Sequence, residues 1–247
     1  MNDPDEVRAQ YADESPLATR SAVWRPAADG RDPVELALAA VAAGLPAGRA
    51  MPDVLEVGAG PGVFAARFTA LHPHVAYLAT DASPRFVELC QERGLTARLM
   101  DAEELLAGPA SYDVVVAMWM LYHVPDLDRA LAELHRVLRP GARLGLLVLV
   151  ARGEHANDLG SNSFPTDVEL HRDLTTCGFR VLDRVDTAAL AEAPPQWTTR
   201  ADAVEEVVAR RHRTEEAWRQ AQQQTEILTR LLDEREVVSV LLSTERV

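Results

Sequence analysis

The chain has 247 residues, 47% of them hydrophobic, enough for one sizeable core with appendages rather than two equal domains. Its 25 Lys and Arg against 38 Asp and Glu give a formal net charge of -13, which repels phosphate backbones and anionic lipid and argues against nucleic acid or a membrane as partner. Two cysteines, Cys90 and Cys177, lack C-x-x-C spacing and predict reduced, buried thiols in a cytoplasmic protein rather than a disulfide or a zinc site.

The first thirty residues are polar, with scattered Tyr11, Arg20 and Trp24, and predict a short helix near 4–11. The start has no apolar stretch of the kind a secretory signal needs. Asp32 and Pro33 open a helix of good formers that runs to Gly44. "DVLEVGA" is a β-branched strand, and "GVFAARFTALH" is a helix that ends before Pro73. "HVAYLATDA" is a strand, followed by a helix with Ser83 as N-cap, Pro84 at its first position and Gly94 past its end. "LTARLMDA" is a third strand. "YDVVVAMWM" is a fourth, apolar throughout, as a central parallel strand covered on both faces must be. "DLDRALAELHRVLRPG" is an amphipathic helix stopped at Pro140-Gly141, and "RLGLLVLVAR" is a fifth strand, too short to span a bilayer. A helix over 165–177, a strand "FRVLDRVDT", a long helical stretch over 200–234 and a last strand "EVVSVLLSTERV" complete the chain. Strands and helices thus alternate from 53 to 152, which predicts an α/β, doubly wound, parallel sheet.

The stretch 200–234 exceeds what a connection needs. It is either a cap or arm packed on its own chain, with Trp197 and Trp218 in its packing in preference to stacking on a ligand, or the surface of a homodimer. Its "ARRHR" run at 209–213 fits a solvated helix face far better than an anion contact.

After the first strand, Gly58, Gly60 and Gly62 alternate ahead of a helix whose free N–H groups attract anions. Gly60, Gly62 and Ala65 formally match G-x-G-x-x-G/A, but that leaves Glu56 and Gly58 without a role, and a lone match is weak. The fuller pattern is E-x-G-x-G-x-G over Glu56, Gly58, Gly60 and Gly62. Asp81 ends the second strand, Asp101-Ala102 ends the third, and "LYHVPD" and "VLRPGARL" flank the helix after the fourth. Together these motifs resemble class I, Rossmann-like S-adenosylmethionine (SAM)-dependent methyltransferases, specifically the small-molecule group that includes quinone-biosynthesis enzymes. The resemblance covers roughly residues 50–152 and departs from the pattern at Ala142, where a glycine is common. It implies a mostly parallel seven-stranded sheet with the last strand antiparallel, a helical N-terminal lead-in over 1–46, and a methyltransferase domain over 47–247. Within that domain a SAM-binding core spans 50–152, and a helical cap of about 188–235 precedes the last strand.

The same resemblance implies SAM as cofactor, with S-adenosylhomocysteine as product. It places Glu56, Gly58, Ala59, Gly60, Gly62, Asp81, Ala82, Asp101, Ala102, Met118, Trp119 and His123 at the cofactor. Asp81 would accept the ribose hydroxyls, Asp101-Ala102 would read the adenine, and the three glycines would let main chain lie against the ligand. Glu56 would hold water or the ammonium group, or order the loop. Taken singly, each residue also has a structural reading: a turn for the glycines, a helix N-cap for Asp81 or Asp101. Candidate acid–base groups are His123 after the fourth strand and His155 after the fifth, since an imidazole titrates near neutral pH; His123 could equally just fix the loop before Pro125. No residue pattern implies a metal. The expected reaction is methyl transfer to O or N, in preference to C, of a small molecule such as a bacterial secondary metabolite. A SAM-binding protein of this fold that does not methylate, serving structure, regulation or a reaction such as cyclisation, shares every one of these motifs. A nicotinamide-dependent reductase is disfavoured by Val63 and by the second acid, Asp101. Tyr11, Arg20 and Trp24 are either a lid over the site or a solvated terminus.

Overall fold

In the computed structural model the described residues are 24–26, 32–151, 157–159, 162–190 and 237–247. A short strand β1 (Trp24–Pro26) precedes helix α1 (Pro33–Ala43). Asp32 caps α1 by accepting the Val34 N–H at 2.8 Å, and Pro33 sits where a missing N–H costs nothing. Then β2 (Asp53–Val57) leads into α2 (Val63–Leu71), and β3 (Ala76–Asp81) into α3 (Pro84–Glu92). β4 (Ala97–Leu99) is short, and β5 (Tyr112–Met118) ends at a 3-10 turn, Leu121–His123. α4 (Leu127–Val137) is capped by Asp126, which accepts the Arg129 N–H at 3.0 Å, and it runs directly into β6 (Leu138–Ala151). A small hairpin of β7 (Asn157–Leu159) and β8 (Asn162–Phe164) follows. α5 (Asp167–Thr176) opens on a reciprocal cap between Thr166 and Glu169, and β9 (Phe179–Leu190) and β10 (Val237–Arg246) finish the sheet.

One sheet has the order β1-β9-β10-β6-β5-β2-β3-β4. β2 pairs parallel with β3 and β5, β3 with β4, and β5 with β6, while β10 is antiparallel to both β6 and β9. All seven expected strands are present, with the last antiparallel. Trp24–Pro26 adds an eighth at the edge, with Trp24 opposite Leu190. Three residues ending in proline carry no period, and an edge is where a strand tolerates proline.

Helices cover both faces, as a parallel sheet requires. On one face Leu38 and Val41 of α1, Phe64 and Phe68 of α2, and Val87 and Cys90 of α3 pack on Val54, Tyr77 and Val116. On the other, Leu131 and Leu134 of α4 and Leu170 and Leu174 of α5 pack on Leu55, Val115, Leu144 and Leu146. The helix α1, inside the expected lead-in, therefore belongs to the packed core. α4 stops at Val137, earlier than the expected Pro140-Gly141: Leu138 is already extended (φ -71°, ψ 145°) and pairs with Tyr112. Helical backbone is disfavoured for Arg139, the residue before Pro140, so α4 does not continue to the proline.

The expected helix at 4–11, Tyr11, Arg20, Trp197, Trp218 and the stretch 200–234, with the cap and dimer surface assigned to it, lie outside the described residues.

Candidate active site

Parallel pairing brings the ends of four strands level. Val57 of β2 lies opposite Thr80 of β3 and Ala117 of β5, and Asp81 lies opposite Leu99 of β4. The loop Gly58–Gly62, Asp81, Asp101 and Trp119 consequently share one edge, the carboxyl ends of the strands, where ligands of open α/β sheets sit.

The loop is built from left-handed backbone: φ is 71° at Gly58, 54° at Gly60 and 77° at Gly62. A Cβ on Gly58 would stand 2.7 Å from the Met120 side chain, and one on Gly62 would stand 2.8 Å from both Cys90 Sγ and Leu95 Cδ1. Two of the three glycines thus make room for protein side chains, not only for a ligand. Ala59 donates its N–H to Thr80 O at 2.9 Å, and Arg93 Nε donates to Pro61 O at 2.7 Å, so the loop is tied to β3 and α3.

Asp81 is the chief tie. Its Oδ2 accepts the Gly60 N–H and its Oδ1 the Ser83 N–H, both at 2.8 Å. Burial pushes its carboxyl above the usual range, and the N–H groups of Ser83, Gly60 and Ala82 pull it back down. The structural and functional readings of Asp81 coexist, because each carboxylate oxygen keeps a second acceptor site. Asp101 is exposed, and its Oδ1 accepts the Glu103 N–H at 2.9 Å within a turn; Ala102 beside it is buried.

Glu56 lies beneath the loop, 2% exposed, and accepts the Tyr77 hydroxyl at 2.9 Å. Desolvation pushes its carboxyl up to about 8, against the Tyr77 hydrogen bond; the Asp81 charge adds to the rise. Cys90 donates Sγ–H to Gly60 O at 3.3 Å, and burial lifts its thiol to about 11, so it stays a neutral donor.

Met118 closes β5 half-buried. Trp119 follows at φ 51°, an uncommon conformation for a bulky residue, and donates its N–H to Leu147 O at 2.5 Å. His123 is buried in the 3-10 turn, its ring 4.3 Å from that of Tyr122, and β8 lies against the same turn. His155 lies outside the described residues. Among the described residues no group of three or more His, Cys, Asp or Glu could hold a metal ion.

The candidate residues of the glycine loop, Asp81, Asp101-Ala102, Met118 and Trp119 thus lie along one strand edge, with Glu56 beneath the loop and His123 in the turn that follows β5. Sequence reasoning missed Tyr77, Met120 and Cys90. For Tyr77 a signal existed: strand alternation puts Glu56 and Tyr77 on the same face of neighbouring strands. Met120 and Cys90 show themselves only through packing on the loop.

Residues 55–146 match the family model described as "Methyltransferase domain". Over 96 residues the chain is 42% identical to a phthiotriol/phenolphthiotriol dimycocerosates methyltransferase of Mycobacterium leprae (strain TN), covering 37% of this chain and 35% of the relative. Over 98 residues it is 34% identical to a ubiquinone biosynthesis O-methyltransferase of Xylella fastidiosa (strain 9a5c), covering 37% and 39%. The match therefore spans little more than a third of these curated relatives. Among solved structures, the [4+2]-cyclase SpnF superposes with a TM-score of 0.74 at 19% identity, over 97% of this chain and 95% of that one. A phosphoethanolamine N-methyltransferase 2 of Haemonchus contortus, in complex with S-adenosyl-L-methionine, superposes with a TM-score of 0.66 at 14% identity, over 97% and 58%. The chain thus has the fold of the class I, Rossmann-like methyltransferases, and its residues 55–146 are similar to a methyltransferase domain.

Proposed function

We propose that the protein is a SAM-dependent methyltransferase acting on O or N, in preference to C, of a small molecule, with a bacterial secondary metabolite as the acceptor class. The observation that carries this reading is the level alignment of the Gly58–Gly62 loop, Asp81, Asp101 and the Trp119–His123 segment at one sheet edge, inside the matched domain. The residues present suit the cofactor. Left-handed glycine backbone offers main chain to an aminoacyl end, Asp81 is already held in place by two N–H groups, and Asp101 stands exposed beside buried Ala102.

SAM, when bound, supplies a methyl group already activated on a sulfonium. The protein's part is to hold the acceptor in line and keep water out, which is worth several kcal/mol through proximity alone. Trp119 and Met118 wall the crevice. In this reading His123, in the 3-10 turn that follows β5, takes the proton that an alcohol, phenol or amine must lose.

Incubation of the protein with SAM bearing a labelled methyl group and a metabolite extract tests this reading. The reading expects a label-bearing product one CH2 heavier than its precursor. Consumption of an extract component without label transfer, giving an isomer of unchanged mass, would favour the non-methylating alternative, whose support is the superposition on a cyclase along nearly the whole of both chains.

A further inference from the structure

We propose that Glu56 is the proton-linked element of this site: occupation of the glycine loop by a ligand bearing an ammonium group expels the proton that the Glu56 carboxyl otherwise carries. The inference deepens the proposed cofactor reading and rests on it.

The geometry is that of two carboxyls beside one loop, Glu56 buried beneath it and Asp81 half-buried at its flank, where it accepts the Gly60 N–H. Glu56 sits two residues before Gly58, on the strand that feeds the loop, and is 2% exposed. The groups that face it are Tyr77 and Asp81 from β3 and Cys90 from α3. Tyr77 donates its hydroxyl to Glu56 Oε2 and Thr80 donates its hydroxyl to Glu56 O, while Asp81 and Cys90 hold Gly60 from its N–H and its carbonyl sides. None of the three facing groups is a cation. Arg93, whose charge acts on Cys90, donates to Pro61 O, and among the described residues Glu56 has no ion pair with Arg, Lys or His.

A second negative charge in such a region needs a positive one to balance it. Asp81, with its N–H donors, is the better placed of the two to be ionised. Glu56, with a single hydroxyl donor, holds the proton, and its midpoint near 8 agrees. A ligand ammonium on the loop supplies the missing positive charge, so the Glu56 O–H bond breaks and the proton passes to solvent. The sign follows. Below about 8 the free protein carries the proton and must lose it to bind, so affinity rises with pH, by up to ~10-fold per unit for one coupled proton, and levels off above that point. The device lets the site sense ligand charge without an exposed carboxylate.

The test is calorimetric titration of the full chain with S-adenosylhomocysteine, whose amine stays protonated at neutral pH. Measurements at pH 7 use two buffers of different ionisation enthalpy and are repeated across pH 6 to 8.5. For the wild type the expected result is a buffer-dependent heat that reports proton release, and an affinity that rises with pH and flattens near 8. For Glu56→Gln, which keeps an acceptor for Tyr77, the expected result is binding with no released proton and a flat profile. Tyr77→Phe is the second variant: loss of the hydroxyl that favours the carboxylate should move the inflection to higher pH. Binding by the wild type with a buffer-independent heat overturns the inference and leaves the cofactor reading standing. An inflection unmoved in Tyr77→Phe also overturns it. No binding to the wild type at any pH overturns the cofactor reading itself.

Discussion

Glu56 and Asp81 are both carboxyls raised by burial, yet they do different work. Asp81 gathers N–H groups from Gly60 and Ser83 and fixes the loop to the start of α3. Replacing it with Ala removes a charged partner on which the loop and, in our reading, the ribose both rely. We expect affinity for S-adenosylhomocysteine to fall at least ~10-fold, from the usual worth of charge-assisted hydrogen bonds; unchanged affinity in a titration would show that the ribose lies elsewhere. Glu56 affects stability in the opposite pH direction from a salt-bridged acid. Its folded midpoint, about 8, lies above its ordinary value of 4.5, so ionisation favours the unfolded chain. Stability contributed by neutral Glu56 is fully present below about 4.5 and is lost as pH climbs through 8. Glu56→Gln should therefore gain melting temperature relative to wild type between pH 5 and 8, and parallel melting curves across that range would contradict the burial argument.

The glycine loop is an element whose sequence is explained twice over. Gly62 needs φ 77° to start α2, and its missing Cβ leaves space for Cys90 and Leu95. Gly62→Ala should cost about 1–2 kcal/mol from backbone handedness alone, more with the clash. Gly62→Ala combined with Cys90→Ala should recover part of the loss in urea denaturation; strict additivity of the two changes would mean that the contact is not what restricts the position. At the opposite end of the strands, Arg49, Asp53, Asp113 and Arg139 tie β2 to β5 and β6. Asp113 is buried and accepts the Asp53 N–H at 2.8 Å. Arg49 Nε lies 3.1 Å from it, and Arg139 Nη1 makes a charge contact at 2.9 Å outside hydrogen-bond alignment. Asp113→Ala leaves two guanidinium groups without their buried acceptor, and about 2 kcal/mol or more of stability should go with it. This cluster lies at the amino ends of the strands, so the variant should keep its ligand affinity.

Across the whole molecule, what could be read from sequence was whatever local chemistry decides. Asp32 caps its helix as its position requires, Pro33 and Pro84 mark first turns, and the alternating glycines mark the β2–α2 turn. The apolar β5 declared its central place. What escaped was decided by partners far along the chain. β1 is a strand only because Leu190 lies opposite Trp24, and the β7–β8 hairpin sits in a stretch with no alternating run long enough to announce it. Tyr77 reads as a core aromatic until its hydroxyl is seen on Glu56, and Met120 reads as apolar filler until its side chain is found across Gly58. Candidate cofactor residues were legible because they lie at the ends of regular elements.

Ligand linkage gives a prediction for the molecule as a unit. At a concentration ~100 times its dissociation constant, S-adenosylhomocysteine should stabilise the fold by about 2.7 kcal/mol and raise the melting temperature by roughly 5 °C or more for a chain of this size. A melting temperature indifferent to the ligand would mean that it does not bind the folded state. The most direct measurement is equilibrium dialysis of the full chain against SAM carrying a radiolabelled methyl group, with S-adenosylhomocysteine and NADH as competitors. Saturable retention of one SAM per chain, displaced by S-adenosylhomocysteine and untouched by NADH, is the expected result. No retention, or displacement by NADH, would contradict the assignment of the glycine crevice to a sulfonium nucleoside.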